Sequence, residues 1–173
     1  PAILPADLRR RTSDHIRLAV EAASRAMSDR AMDAPRFATV FGSADGDGAI
    51  THHLCEEVAK DQPAVSPTRF HNSVTNAPAG YWHMAAHSRA PSTSLAAGDA
   101  TVAACLIEAL LQLATDDAAG VLLVVHDFPL PEPLNRCRPM VAPFAAAFRL
   151  VRESAQPLAA IDCAFAVAHE TRL

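Results

Sequence analysis

Few side chains in this sequence are placed to make or break bonds, and the cysteines come first. Cys55, Cys105, Cys137 and Cys163 are widely spaced and form no CxxC pair. A nucleophilic cysteine acts as a thiolate, which needs a helix N-terminus, a cation or a metal beside it. Cys105 instead lies within GDATVAACLIEALLQLA (98–114), a run apolar on almost every side. Such surroundings raise a thiol's pKa and leave it inert. A free-standing acyltransferase or condensing enzyme would have to use a cysteine such as Cys105, and that is the alternative reading. Asp99 opens the same run, where a carboxylate suits a helix N-terminus.

The histidines suggest metal chemistry only by spacing. His83 and His87 are four apart and could share one helical face, and His52-His53 stand beside Cys55. A zinc site needs at least one more ligand, and no HExxH occurs. These are therefore read as exposed or capping histidines, with no metal and no cofactor expected. His126 ends an apolar strand and is expected to be packed or hydrogen-bonded. Ser43, Ser92 and Ser94 lack a GxSxG elbow. Gly42, Gly46 and Gly48 match neither the Walker spacing nor GxGxxG, and read as a strand-to-helix turn.

The elements that would position these groups follow from periodicity. Residues 8–28 read as one amphipathic helix, broken at Pro35. Residues 37–41 form a short β run ended by the glycines, and 49–60 a short helix closed by Pro63 and Pro67. Two short helical pieces flank Pro78 and Gly80, followed by an extended run at 92–97. The run 98–114 is a helix buried on all sides. VLLVVHD (121–127) is a strand buried on both faces. Further β runs at 144–151 and 159–167 are expected to pair antiparallel. Helices alternating with strands, then two strands in succession, predict an α/β fold with a mixed five-stranded sheet. The opening at Pro1, without Met, leaves room for a first strand ahead of it.

With 173 residues, half of them apolar, the chain forms a single domain over 1–173. The net charge is −4 and Lys60 is the only lysine. The one basic run, Arg9-Arg10-Arg11, makes no stripe that would bind nucleic acid. No leader is recognised at the start, and no apolar stretch is read as long enough to span a membrane, so a cytoplasmic protein is expected.

Three segments in order resemble the N-terminal half of β-ketoacyl-acyl carrier protein synthases. RRRTSDHIRLAVEAASRAM is similar to that family's early helix. VFGSADGDG followed by SPTRFHNSVTNAPAG is similar to its strand, loop and dimer-interface helix. RAPSTSLAAGDATVAACLIEAL is similar to the strand and helix that carry the nucleophile. The resemblance covers roughly residues 8–151. NAPAGYW and PSTSLAAGD look closest to the short ketosynthase-like subunits of aryl polyene and xanthomonadin-type pigment clusters.

The resemblance implies a thiolase-like half-domain. Counted from Ala90-Pro91, which stands where the family has Gly-Pro, the nucleophile position falls on Asp99, which cannot form a thioester. The family's two catalytic histidines belong to a C-terminal half that these residues do not include. The implied role is that of a chain length factor, a non-catalytic subunit in fatty-acid or polyketide-type biosynthesis. It would pair with a full-length ketosynthase, or with itself, and meet the acyl carrier protein only indirectly. The implied interface residues are Phe70, Asn72, Val74, Asn76, Tyr81 and Trp82.

Overall fold

The computed structural model describes residues 2–115 and 119–161. The short helix α1 (Ala6–Arg9) leads into α2 (Asp14–Ala26) and a 3-10 stretch, Ser28–Arg36. Strand β1 (Ala38–Gly42) follows, then α3 (Gly48–Val58), α4 (Pro67–Asn72) and α5 (Ala77–Ala85). Strand β2 (Ser92–Leu95) turns into α6 (Thr101–Thr115), and β3 (Val121–Asp127) and β4 (Phe144–Leu150) close the described fold.

The single long helix expected over 8–28 is two helices. The first ends at Arg9, and Ser13 caps the second, its side chain accepting from the Ile16 N–H. Arg17 fastens the corner, donating to the Thr12 and Arg9 carbonyls and to Asp14.

The sheet is mixed, in the order β2-β1-β3-β4. β1 runs parallel to β2 and β3, and β4 is antiparallel to β3. It has four strands among the described residues. The fifth expected run, 159–167, falls mostly outside them, as does its pairing.

Alternation along β1 and β3 feeds two cores. Leu122 and Val124 join Phe41, Ile16, Val20, Ala23 and Trp82 beneath α2 and α5. Val121, Leu123 and Val125 join Ala38, Val40, Cys105, Ala109 and Leu113 beneath α6. Both faces of β3 are thus covered, which is why it reads as an unbroken apolar run.

α6 departs from expectation. Only Thr101, Cys105, Ala109, Gln112 and Leu113 are buried. Val102, in the first turn, and Ile107 and Leu111, on the far side, are 55%, 43% and 47% exposed. The run Gly98–Thr115 also has the length and hydropathy, by composition alone, to cross a membrane, contrary to the sequence reading. Here it lies along the sheet with one side packed on β1 and β3.

Candidate functional site

The turn between β2 and α6 is where the sequence pointed to chemistry. Gly98 has φ +55, a left-handed conformation that an L side chain resists, and it starts the 3-10 turn Gly98–Ala100. Thr101 ties the turn together, accepting from the Ala97 N–H and donating to the Gly98 carbonyl.

Asp99 rides on the outside of this turn with its side chain 99% exposed. It was expected to cap the helix, but its carboxylate reaches outward instead. Arg138 donates from Nη2 to Asp99 Oδ1 at 2.8 Å, and its Nε lies 3.1 Å from Asp45 Oδ2. One guanidinium thus links the connector after β3, the loop after β1 and the turn before α6. Arg138 went unnoticed in the sequence because it lies 39 residues from its partner and carries no local motif.

The loop carrying Asp45 is itself fixed. Asp127 Oδ1 accepts from the Ser43 hydroxyl at 2.8 Å and from the Ala44 N–H at 2.9 Å. Asp47 caps α3, accepting from the Ile50 N–H. An exposed carboxylate held by an arginine is an ion pair, and with no sulfur it cannot form an acyl thioester.

Cys105, further along α6, is fully buried. Its sulfur lies over Gly42, where any Cβ would overlap it, so the glycine is what lets α6 approach β1. Burial, with Glu108 adding to it, pushes the thiol pKa up. Both effects disfavour the thiolate.

The six interface candidates divide in two. Phe70, Val74 and Asn76 are exposed. Asn72, Tyr81 and Trp82 are buried within the chain, so they support that surface from below. Asn72 donates to the Arg11 carbonyl and accepts from the Tyr81 hydroxyl at 3.1 Å. Sequence alone could not separate them, since an aromatic pair after a glycine suits a core as well as an interface.

The histidines also part company. His83 lies in α5, with Nε2 2.9 Å from the Thr39 hydroxyl. His87 falls beyond the helix with φ +51, so the two share no helical face. His52 and His53 sit near Glu56. Among the described residues no group of three potential ligands is assembled. His126 is buried, and its Nδ1 lies 2.8 Å from His15 Nε2. Burial, then His15, lowers the His126 pKa to about 3.

The family described as Beta-ketoacyl synthase, N-terminal domain, matches residues 1–172. Among solved structures, a chain of the ketosynthase (ApeO) in complex with its chain length factor (ApeC) from Xenorhabdus doucetiae is similar, with a TM-score of 0.76 and 26% identity. The match covers 88% of this chain and 63% of that one. A beta-ketoacyl synthase from Burkholderia phymatum STM815 shares the fold, with a TM-score of 0.66 and 14% identity. That match covers 79% of this chain and 35% of that one. The chain therefore spans less than two thirds of the length of either structure. No curated protein sequence matches it.

Proposed function

The chain belongs to the family of beta-ketoacyl synthase N-terminal domains, and from that premise we propose that it is a chain-length-factor-like subunit. In this reading it pairs with a full-length ketosynthase in aryl polyene-type biosynthesis in the cytoplasm and does not itself condense acyl chains. Asp99 is the observation that carries the reading. It stands where the resemblance places the nucleophile, and its carboxylate is bound to Arg138. A condensing enzyme must transfer the acyl chain to its own thiol before the new carbon–carbon bond forms. No thiol occupies this turn, and buried Cys105 points into the sheet.

Two surfaces support the pairing. Helix α6 presents Val102, Ile107 and Leu111 to solvent, and α4 with the segment after it presents Phe70 and Val74. Apolar surface of this extent is normally covered by another protein surface. The acyl carrier protein then meets the ketosynthase, and this subunit acts through the shape of the shared pocket.

The test is a condensation assay with acyl- and malonyl-loaded acyl carrier protein. The purified chain is expected to yield no product alone, and the ketosynthase to yield product of defined length only when the chain is present. Turnover by the chain alone, lost on Cys105→Ala, would replace this reading with the acyltransferase one.

A further inference from the structure

His15, in the first turn of α2, and His126, near the end of β3, meet inside the closed core. His126 Nδ1 lies 2.8 Å from His15 Nε2. The two residues are 2% and 4% exposed. The rings of Phe41, in β1, and Phe128, after β3, pack against the pair. Burial lowers the pKa of both histidines, so both rings are uncharged at neutral pH.

Two uncharged imidazoles share a hydrogen bond only if one nitrogen donates and the other accepts. The second nitrogen of His15 decides which does what. Its Nδ1 is buried with no hydrogen-bond partner among the described residues. Acceptors surround the ring. The carboxylates of Asp47, just before α3, and Asp127, at the end of β3, both act on it, as does the His126 carbonyl. Asp47 Oδ1 is taken by the Ile50 N–H, while Asp47 Oδ2 is buried and unpartnered. A lone pair on His15 Nδ1 would be repelled by these groups, whereas an N–H there is attracted. His15 therefore carries its proton on Nδ1, and its Nε2 accepts from His126 Nδ1–H. The open lone pair of the two rings is then His126 Nε2.

We propose that the pair is a proton relay, which takes up a proton at His126 Nε2 and delivers the charge to His15 beside Asp47 and Asp127. An Nε2–H bond forms on His126 and its Nδ1–H bond breaks. The freed proton bonds to His15 Nε2. His126 ends uncharged as the other tautomer, its Nδ1 now accepting, and His15 ends as imidazolium with an N–H on each nitrogen. The charge settles there because the carboxylates favour it on His15, whereas the charge acting on His126 is that of His15 itself, which opposes a second one. A helix N-terminus also opposes a cation, so the two carboxylates are what hold it. The imidazolium recruits the unpartnered Asp47 Oδ2 and ties α2 to the cap of α3. Mild acid is thus felt at the loop 43–47 before the fold is lost. This device does not depend on the pairing proposed above.

The test is NMR of the ring nitrogens in the full chain with labelled histidine, from about pH 7.5 down to about pH 4.5. Two-bond ring couplings report which nitrogen carries the proton. At the upper end both His15 and His126 are expected as Nδ1–H tautomers. On acidification His15 is expected to become doubly protonated while His126 turns into the uncharged Nε2–H tautomer. Asp47→Asn keeps an oxygen for the Ile50 N–H and removes the charge. It is expected to lower the pH at which His15 charges by about 1 unit or more. The wild-type tautomers decide the relay even if that variant folds poorly. An Nε2–H tautomer of His15 at the upper end would overturn the assignment. Charging of His126 ahead of His15 would overturn the relay, and an unmoved His15 midpoint in folded Asp47→Asn would remove Asp47 from it.

Discussion

The two faces of the sheet are covered by helices built on opposite principles. α2 buries Ile16, Ala19, Val20 and Ala23 completely. Its outer side carries charge, with Arg17 paired to Asp14 and Arg25 to Glu21. α6 buries Cys105 and Ala109 as thoroughly, yet it leaves Val102, Ile107 and Leu111 exposed. α2 meets water with charged side chains, whereas α6 meets it with apolar ones. The same strand, β3, serves both, so the difference lies in the helices and in what each meets on its far side.

Substitutions should separate the two faces by size of effect. Val20→Asp places an unpaired charge in the closed core and is expected to cost about 4 kcal/mol or more, enough to unfold a domain of ordinary stability. Leu111→Asp, on the open side of α6, is expected to leave the isolated chain's stability within about 1 kcal/mol while weakening its pairing with a ketosynthase. Denaturant melts with circular dichroism, beside a binding titration, read both. Equal loss of stability in the two variants would erase the distinction.

Trp82→Ala tests the closed face from α5. The indole is almost fully buried, so its removal is expected to cost about 3–5 kcal/mol, with any loss of pairing following from unfolding. A stable Trp82→Ala chain that no longer pairs would restore Trp82 to the interface.

Acid should weaken the closed face next. His126 has its pKa lowered from 6.5 to about 3, first by burial and then by His15. Asp47 and Asp127 act on His15 in the opposite sense, though burial still lowers its pKa. A folded-state pKa below the unfolded one means that protonation favours unfolding. Full stability is therefore held above about pH 6.5 and lost as the pH falls toward 3. The loss is expected to reach about 2 kcal/mol by pH 5 from His126 alone. Urea melts at pH 7 and pH 5 measure it. An unchanged pH dependence in His126→Leu would remove His126 as the cause.

The smallest effect belongs to the exposed turn. Asp99→Asn breaks the Arg138 ion pair, which lies in solvent and should matter by well under about 1 kcal/mol. Thermal melting checks this, and a large loss would make the pair a structural lock.

Much of the fold could be read from the sequence because burial leaves a periodic trace. Val121–Asp127 is the strand that an unbroken apolar run predicts. The expected run 37–41 lies one residue from β1 (Ala38–Gly42). The break before α2 was missed although Ser13 signals a cap, since the apolar stripe continues across it.

The site was harder to read. The turn at Asp99 could be placed by resemblance, but Arg138 binds it from a distant connector that has no periodicity. A contact across 44 residues, such as Thr39 in β1 to His83 in α5, leaves no local pattern.

The central claim, a subunit that works only in company, is tested most directly by light scattering on size-exclusion fractions of this chain. The chain would be run alone and with the full-length ketosynthase of its genome. The account predicts a stable one-to-one complex with that ketosynthase. A well-behaved monomer at micromolar concentration, unchanged in mass when the ketosynthase is added, would contradict it.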